Sequence, residues 1–306
     1  MTLRHGQAVA LMVLVTFLWG TAGVVTRHLE QAQAFEITFW RSFFTLVSLL
    51  IILPVWQGWG IWRRMRQEGW LLWASGACWS VMFTAFMLGL ALTSVANVLI
   101  TLAAAPLLTA LVSRMVFGHR LPARTWVAIV VAGVGIAWMF ARQLEGTAWI
   151  GMLVALGAPL GGAFNWNLVR RGQESGRHVD LVPAVLIGAC LSALVTLPLA
   201  WPLQASVHDV SLLAGLGLGQ LAIPCVLAVI CARVLSPPEM SLLALLEVLF
   251  GIALAWWGAG EVPGAEVLQG GVLVLGALVI NEWLGWRERI GHYRIQPLDT
   301  GRDTTP

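Results

Sequence analysis

The chain has 306 residues, of which 58% are apolar and only 11% are charged, and its formal net charge is +3. A soluble globular domain is typically about 45–50% apolar and about 25% charged, so too few polar side chains remain here to cover a water-facing surface. This composition excludes a soluble enzyme, a disulfide-rich secreted module and a nucleic-acid binder, and it predicts a polytopic membrane protein. The four cysteines lie in apolar segments without a CxxC pair, which indicates buried side chains and not metal ligands.

Ten apolar segments of about 20 residues, the length that crosses a bilayer, follow one another along the chain. They cover residues 7–26, 35–55, 70–91, 95–116, 124–141, 149–170, 180–200, 211–233, 238–258 and 266–286. The connections are short, and residues 287–306, rich in Arg, Asp, Thr and Gly, are predicted to form a disordered cytoplasmic tail. The sequence therefore predicts an all-α integral membrane protein with ten transmembrane helices.

The arginines orient this array of helices. With the N-terminus in the cytoplasm, 15 of the 18 arginines fall in cytoplasmic segments, two in external segments, and Arg41 lies within the second span. Because positively charged side chains collect on the cytoplasmic side, this bias predicts an even number of spans with both termini in the cytoplasm.

The two halves of the chain resemble each other. Residues 92–128 align with 234–270 at a constant offset of 142 residues, so that Gly118 falls on Gly260 and His119 on Glu261. Each half holds five spans, an odd number, and the second copy must therefore be inverted in the membrane. We predict two inverted five-helix repeats, 1–144 and 145–286, with a substrate site near the midplane where they meet.

Four stretches carry a family resemblance: FLWGTAGV at 17–24, FWRSFF at 39–44, and the repeat copies at 91–122 and 236–264. Their order and spacing resemble the drug/metabolite transporter superfamily, within it the EamA-type ten-helix exporters, and the aromatic amino acid exporters in particular. The chain departs from that pattern at His119, where the family often has an acid, and at Glu247-Val248, where it often has a Glu-Pro pair.

The resemblance implies a secondary transporter in the bacterial inner membrane that works by alternating access. It implies export of a small metabolite, amino acids foremost, and the deep tryptophans favour aromatic or large apolar ones. The expected partners are this small-molecule substrate and the lipid bilayer, with no nucleic acid and no cofactor. Since one chain already holds both halves, a monomer suffices.

Two charged side chains lie well inside predicted spans, where a charge costs at least about 2.5–3.5 kcal/mol on insertion scales. Arg41 would face the cavity and bind a carboxylate or pair with a Glu, or it would form a structural ion pair or extend toward the nearer membrane interface. Glu247 would couple protons or bind a substrate amine, or it would tie helices together. If the two side chains pair across the repeats, they form a latch that opens during transport.

Polar and aromatic side chains complete the predicted cavity. The candidates are Trp19, Trp79, Asn97, Asn165, Trp166 and Asn167. The alternative for the tryptophans is packing, and for the asparagines it is hydrogen bonding between helices, worth about 0.6–2 kcal/mol each. Three mid-span prolines that interrupt helical hydrogen bonding are candidate gate hinges or static kinks, namely Pro106, Pro159 and Pro224.

Other functions fit the sequence less well. It contains no GxxxxGK[ST] loop, HExxH motif or GxSxG motif, which argues against an ATP-driven pump and a membrane enzyme, and no metal site is predicted. Two alternatives stay open. One is an exporter of cationic drugs or other metabolites, recognised by Glu247 and the tryptophans, and the other, less favoured, is a membrane scaffold that does not transport.

Overall fold

The structure, a computed structural model, describes residues 4–118, 122–141, 148–174, 182–231, 234–235, 243–244 and 246–295. These residues form helices and no strands. In chain order the helices are α1 (His5–Thr26), α2 (Ala34–Gln57), α3 (Ile61–Gln67), α4 (Trp70–Leu92), α5 (Val95–Ala103), α6 (Ala105–Phe117), α7 (Ala123–Ala141), α8 (Ala148–Ala155), α9 (Gly157–Glu174), α10 (Val182–Ala200), α11 (Val207–Gly215), a π-helical segment (Leu216–Ala222), α12 (Ile223–Cys231), α13 (Leu246–Ala259) and α14 (Ala265–Ile295).

The helical segments are long and apolar, as a membrane protein requires. Seven of those described can cross a membrane by length and composition, and the pair α5–α6, bent by 42°, would be an eighth. Two further apolar helices, Ala123–Met139 and Leu246–Ala259, are shorter. Large apolar side chains such as Val55, Val81 and Val130 point outward and are exposed, as contact with lipid demands. The architecture fits the predicted integral membrane protein, and the count of ten spans stays a prediction.

The C-terminal helix corrects one sequence expectation. The segment from Arg287 was expected to be disordered, but α14 continues through it to Ile295. The physical reason is local: no proline interrupts the segment before Pro297, and a helix ends readily just ahead of a proline. Arg287 also places its guanidinium 4.8 Å from the ring centroid of Trp283, one turn earlier. Residues 296–306 lie outside the described part of the chain.

Each candidate hinge proline lies just after an interruption in helical structure. Pro106 follows the bend between α5 and α6, Pro159 follows the junction of α8 and α9, and Pro224 follows the π-helical segment. Pro106 lies in the first turn of α6, where proline is tolerated because the missing N–H would be unpaired in any case. Pro224 instead lies in a continuous helical run, where it removes one backbone hydrogen bond. The positions therefore suit flexible joints, and the hinge role stays a prediction.

Helices from the two predicted repeats pack against one another. Helix α1 packs on α13, α2 and α4 pack on α10, and α7 packs on α14. Helix α1 approaches α13 closely at Gly20, where an added Cβ would lie 2.9 Å from the backbone nitrogen of Gly251. Because that atom belongs to the backbone, only glycine allows this spacing. The region between the repeats is therefore a tightly packed core of the bundle.

One ion pair joins the repeats at the end of the bundle where α1 ends and α2 begins, which we call the distal end. Arg27 Nε lies 2.6 Å from Glu261 Oε2, and its other nitrogens donate to the carbonyl groups of Leu90 and Thr93. Glu261 Oε1 accepts from the backbone N–H of Val95 at 2.6 Å. The cation thus caps the C-terminus of α4 and the anion caps the N-terminus of α5. Both interactions are favourable, because each charge is opposite in sign to the end of the helix dipole that it contacts.

Two buried carboxylates hold the distal loops. Asp209, at the start of α11, accepts the backbone N–H groups of residues 30–32, each at 2.9 Å. Glu36, at the start of α2, accepts those of residues 204–205 at 2.8–3.0 Å. Both side chains are fully buried. Each helix start therefore fixes the loop that leads into the other helix.

Candidate substrate site

Arg41 lies at the centre of the site and is 1% exposed. Its Nη1 donates a 3.0 Å hydrogen bond to Oε1 of Gln220, and its guanidinium carbon lies 5.7 Å from the ring centroids of both Phe83 and Phe86. Aromatic faces attract a desolvated cation, so these rings stabilise the buried charge without neutralising it.

The π-helical segment brings Gln220 to Arg41. Gly217, in the same segment, packs on α2 so closely that Thr45 Oγ1 donates both to the Arg41 carbonyl at 2.8 Å and to the Gly217 carbonyl at 3.2 Å. The extra residue per turn in a π-helix changes which side chains face inward, and such segments are frequent at functional sites. Sequence reasoning missed Gln220, although an amide within the apolar segment 211–233 was an available signal.

Trp19 and Glu247 approach the same place from α1 and α13. The Trp19 carbonyl accepts from Nε2 of Gln220 at 3.3 Å, while its half-buried indole packs against the cluster around Met12 and Cys231. Glu247 acts electrostatically on Arg41, but no ion pair within 4.0 Å joins them among the described residues. The expected Arg41–Glu247 latch is therefore not formed in this conformation.

The Glu247 side chain lies deep within the protein yet keeps part of its surface open. The described residues therefore leave part of the Glu247 side chain uncovered. Glu247 thus remains available to a bound molecule.

One face of α4 lines the site. Ser75, Trp79, Phe83 and Phe86 recur at intervals of four, four and three residues, so they share a face. This face extends for roughly 16 Å along the helix axis. The ring centroids of Trp79 and Phe83 lie 5.4 Å apart, which continues the aromatic wall from Arg41. Residues on the opposite face, such as Val81, are exposed.

Asn165 closes the far end of this face. Its Oδ1 accepts a 2.6 Å hydrogen bond from Ser75 Oγ, and the residue is fully buried. Three buried nitrogen atoms along the site have no hydrogen-bond partner among the described residues: Arg41 Nε, Trp79 Nε1 and Asn165 Nδ2. All three are donors, and each buried donor left unpaired costs about 1–3 kcal/mol. The site is thus complementary to a molecule that carries acceptors.

The other predicted site residues lie apart from this group. Asn97, near the start of α5, donates to Thr93 Oγ1 at 3.0 Å. Asn167 Nδ2 donates to the carbonyl groups of Thr109 and Ala163, which ties α9 to α6. The side chain of Trp166 lies outside the described part of the structure. The bond to Thr109 is the interhelical contact that was one of the two expectations for Asn167. The cavity roles of Asn97 and Asn167 stay predictions.

Metal chemistry finds no support in the described residues. No three His, Cys, Asp or Glu side chains among them come together so that they could hold a metal ion. The four cysteines are free thiols.

Comparisons with known proteins point to transport. Residues 6–141 match the EamA-like transporter family. The chain is also similar to a Pseudomonas aeruginosa protein named an uncharacterized transporter, with 27% identity over 161 residues that cover 50% of this chain and 52% of the relative. The match thus spans about half the length of that curated relative.

A solved crystal structure, described only as that of a protein, has a TM-score of 0.62 and 18% identity, over 92% of this chain and 98% of that chain. At that identity the likeness concerns the fold alone. The apolar helices fit a multi-pass membrane protein, and over about half of its length the chain is similar to proteins named as transporters.

Proposed function

We propose that this protein is a secondary active transporter that exports amino acids, with aromatic or large apolar ones favoured, from the bacterial cytoplasm. The observation that carries the proposal is the buried Arg41 guanidinium, which has a neutral amide and two aromatic rings as its neighbours and, among the residues that the structure describes, no carboxylate within ion-pair distance. A buried cation in this setting favours a ligand that brings its own negative charge.

The remaining groups suit the other parts of an α-amino acid. The Arg41 Nε–H is an unpaired donor for the carboxylate, and the open surface of Glu247 offers a partner for the ammonium group. The Trp79 and Phe83 rings supply an apolar wall for a large side chain. Rigid aromatic walls with a few well-placed polar groups are usual in small-molecule sites.

The proposed mechanism is alternating access between two inverted five-helix repeats, with ten membrane spans in all. Two features support the repeat. Gly118 and Gly260, which align at the offset of 142 residues, both have positive φ, at 71° and 66°. Both also end a helix, a position that favours glycine because the left-handed conformation is strained for other residues. In such transporters the halves rock around a midplane site.

Export of cationic drugs is the competing proposal within the same superfamily. Glu247 and the aromatic rings would serve it, but a buried Arg41 that forms no ion pair with a described carboxylate repels a cation. The amino acid proposal is therefore preferred. Placement in the bacterial inner membrane with both termini in the cytoplasm rests on the arginine distribution and belongs to the same proposal.

Counterflow in proteoliposomes tests the proposal. Vesicles that contain the purified protein are loaded with unlabelled amino acids, and the entry of labelled Trp, Phe, Thr or Ala is followed. We expect accumulation of Trp and Phe, reduced at least about 30-fold by Arg41→Met, because an unpaired ligand charge costs roughly 2–5 kcal/mol. Arg63→Met, at an exposed position on the short helix α3, is the matched control and leaves counterflow unchanged.

The outcomes separate the candidate functions. Amino acid transport would be refuted if the protein shows a cooperative melting transition, and is therefore folded, but gives counterflow of none of the four amino acids. Efflux of a cationic dye under the same conditions, retained in Arg41→Met, would instead support the drug exporter. Equal counterflow by Arg41→Met and the wild type would show that Arg41 has no role in transport.

A further inference from the structure

Gln220 links three elements at the centre of the site. It is 4% exposed, its Oε1 accepts from Arg41 on α2, and its Nε2 donates to the Trp19 carbonyl on α1. These two partners fix the orientation of the amide. The reverse orientation would set its donors against the guanidinium donors and its acceptor against a carbonyl oxygen. Gln220 therefore holds Arg41 in one position.

The chemistry of an amide at this position matters as much as its location. A buried arginine is usually paired with a carboxylate, because the cost of taking a charge out of water is offset only by an opposite charge nearby. An amide supplies the hydrogen bond without supplying the charge. Glutamate has nearly the same length as glutamine and would reach the same Arg41 nitrogen. The chain thus places an uncharged partner where a charged one would fit.

We propose that Gln220 determines substrate selectivity, because it positions Arg41 while leaving its charge unneutralised for an anionic group of the substrate. The inference deepens the proposed function and rests on it. It makes Gln220 a positioning residue, acting through Arg41. It also assigns the selectivity for carboxylates to the π-helical segment of the second half.

A structural role alone predicts a different response to substitution. If Gln220 served only to pack α1 against α2, Gln220→Glu would form an ion pair with Arg41 and leave ligand preference unchanged. If Gln220 keeps the charge available, the same substitution supplies an internal counter-ion and removes the affinity for carboxylates. Under the proposal, Gln220→Glu therefore keeps or raises the stability of the protein and lowers its selectivity for carboxylates.

The experiment measures ligand-induced thermal stabilisation of the full chain in detergent, with tryptophan and tryptophanamide as probes. Both probes carry the same indole ring and an amino group, but only tryptophan carries a carboxylate. We expect tryptophan to stabilise the wild type and tryptophanamide to do so only weakly. In Gln220→Glu we expect the concentration of tryptophan for half-maximal stabilisation to rise at least about tenfold, and the preference to reverse toward tryptophanamide.

Two further variants serve as controls. Gln33→Glu adds the same charge at an exposed position near the distal loop and leaves the preference of the wild type intact. Gln220→Met keeps the length of the side chain without its polar atoms. It weakens tryptophan binding about threefold or more, because Arg41 loses a hydrogen-bond partner, and it retains the preference for the carboxylate.

Each outcome decides the inference. A folded Gln220→Glu protein that keeps the wild-type preference overturns it. If that variant does not fold, unchanged tryptophan affinity in Gln220→Met overturns it. Stabilisation of the wild type by tryptophan without any counterflow refutes the transport proposal alone, whereas the absence of stabilisation by tryptophan refutes both.

Discussion

Replacing Gly217 by alanine perturbs the contact between the π-helical segment and α2. A Cβ at this position would lie 2.7 Å from Phe44 Cβ, 2.8 Å from the Thr45 backbone nitrogen and 2.9 Å from the Arg41 carbonyl oxygen. Two of these atoms belong to the backbone of α2, so no side-chain rotation relieves the clash. The two segments must separate by on the order of 0.5–1 Å. Overpacking of this kind destabilises a protein by roughly 1–3 kcal/mol.

Gly219 provides a matched control in the same segment, because an added Cβ there meets no atom within 4 Å. Gly219→Ala should stabilise the protein slightly, by about 0.4–1 kcal/mol, since alanine restricts the unfolded chain. Thermal unfolding in detergent can be followed with a thiol-reactive dye, because the buried thiols of Cys225 and Cys231 become reactive as the protein unfolds. We expect Gly217→Ala to melt below the wild type and Gly219→Ala at or above it.

Melting of Gly217→Ala at or above Gly219→Ala would refute the close contact between the π-helical segment and α2. A lower melting temperature with unchanged tryptophan binding would keep the contact but refute its role in positioning Arg41. We expect Gly217→Ala to lower both the melting temperature and the affinity for tryptophan, because the Gly217 contact and the Arg41–Gln220 hydrogen bond join the same two elements.

The remaining predictions concern the distal end and the packing of the repeats. Glu261→Gln removes the charged partner of Arg27 and should lower the free energy of unfolding by about 1 kcal/mol. Because the ion pair is partly exposed, the effect should become smaller in high salt, which melting curves at two salt concentrations can check. Asp209→Asn leaves one acceptor oxygen for three backbone N–H groups and should destabilise by roughly 1–3 kcal/mol in the same assay. Gly20→Ala should lower the melting temperature more than Gly276→Ala, where an added Cβ meets nothing, and equal values would contradict the close helix packing.

The helices could be predicted from the sequence because hydropathy alone determines them. An apolar stretch of about 20 residues must satisfy its backbone hydrogen bonds internally, so it forms a helix whatever its neighbours are. The same argument identified Arg41, because a charge inside such a stretch is rare and needs partners. What it cannot supply is the identity of those partners, which come from segments far away in the chain.

Gln220 illustrates that limit. Its segment has the same apolar pattern whether it is α-helical or π-helical, and the close contact of Gly217 with α2 is a tertiary feature that this pattern does not contain. The π-helical turn changes the direction of every later side chain in the segment. Distances across the bundle cannot be read from the spacing of residues along the chain. The sequence could therefore suggest Glu247 as a site candidate, but it could not show whether Glu247 forms an ion pair with Arg41 in this conformation.

The carboxylates of Glu36 and Asp209 each bind the loop that leads into the helix of the other, and this arrangement restricts how the two helices can move. Because each holds the loop that enters the other's helix, α2 and α11 cannot be drawn apart at this end unless five backbone N–H groups lose their acceptors together. The two helices can still pivot about that point, since loops tolerate rotation better than extension. We therefore expect any movement of α2 relative to the segment that contains α11 to be smallest at the distal end and larger at the Arg41–Gln220 contact further along.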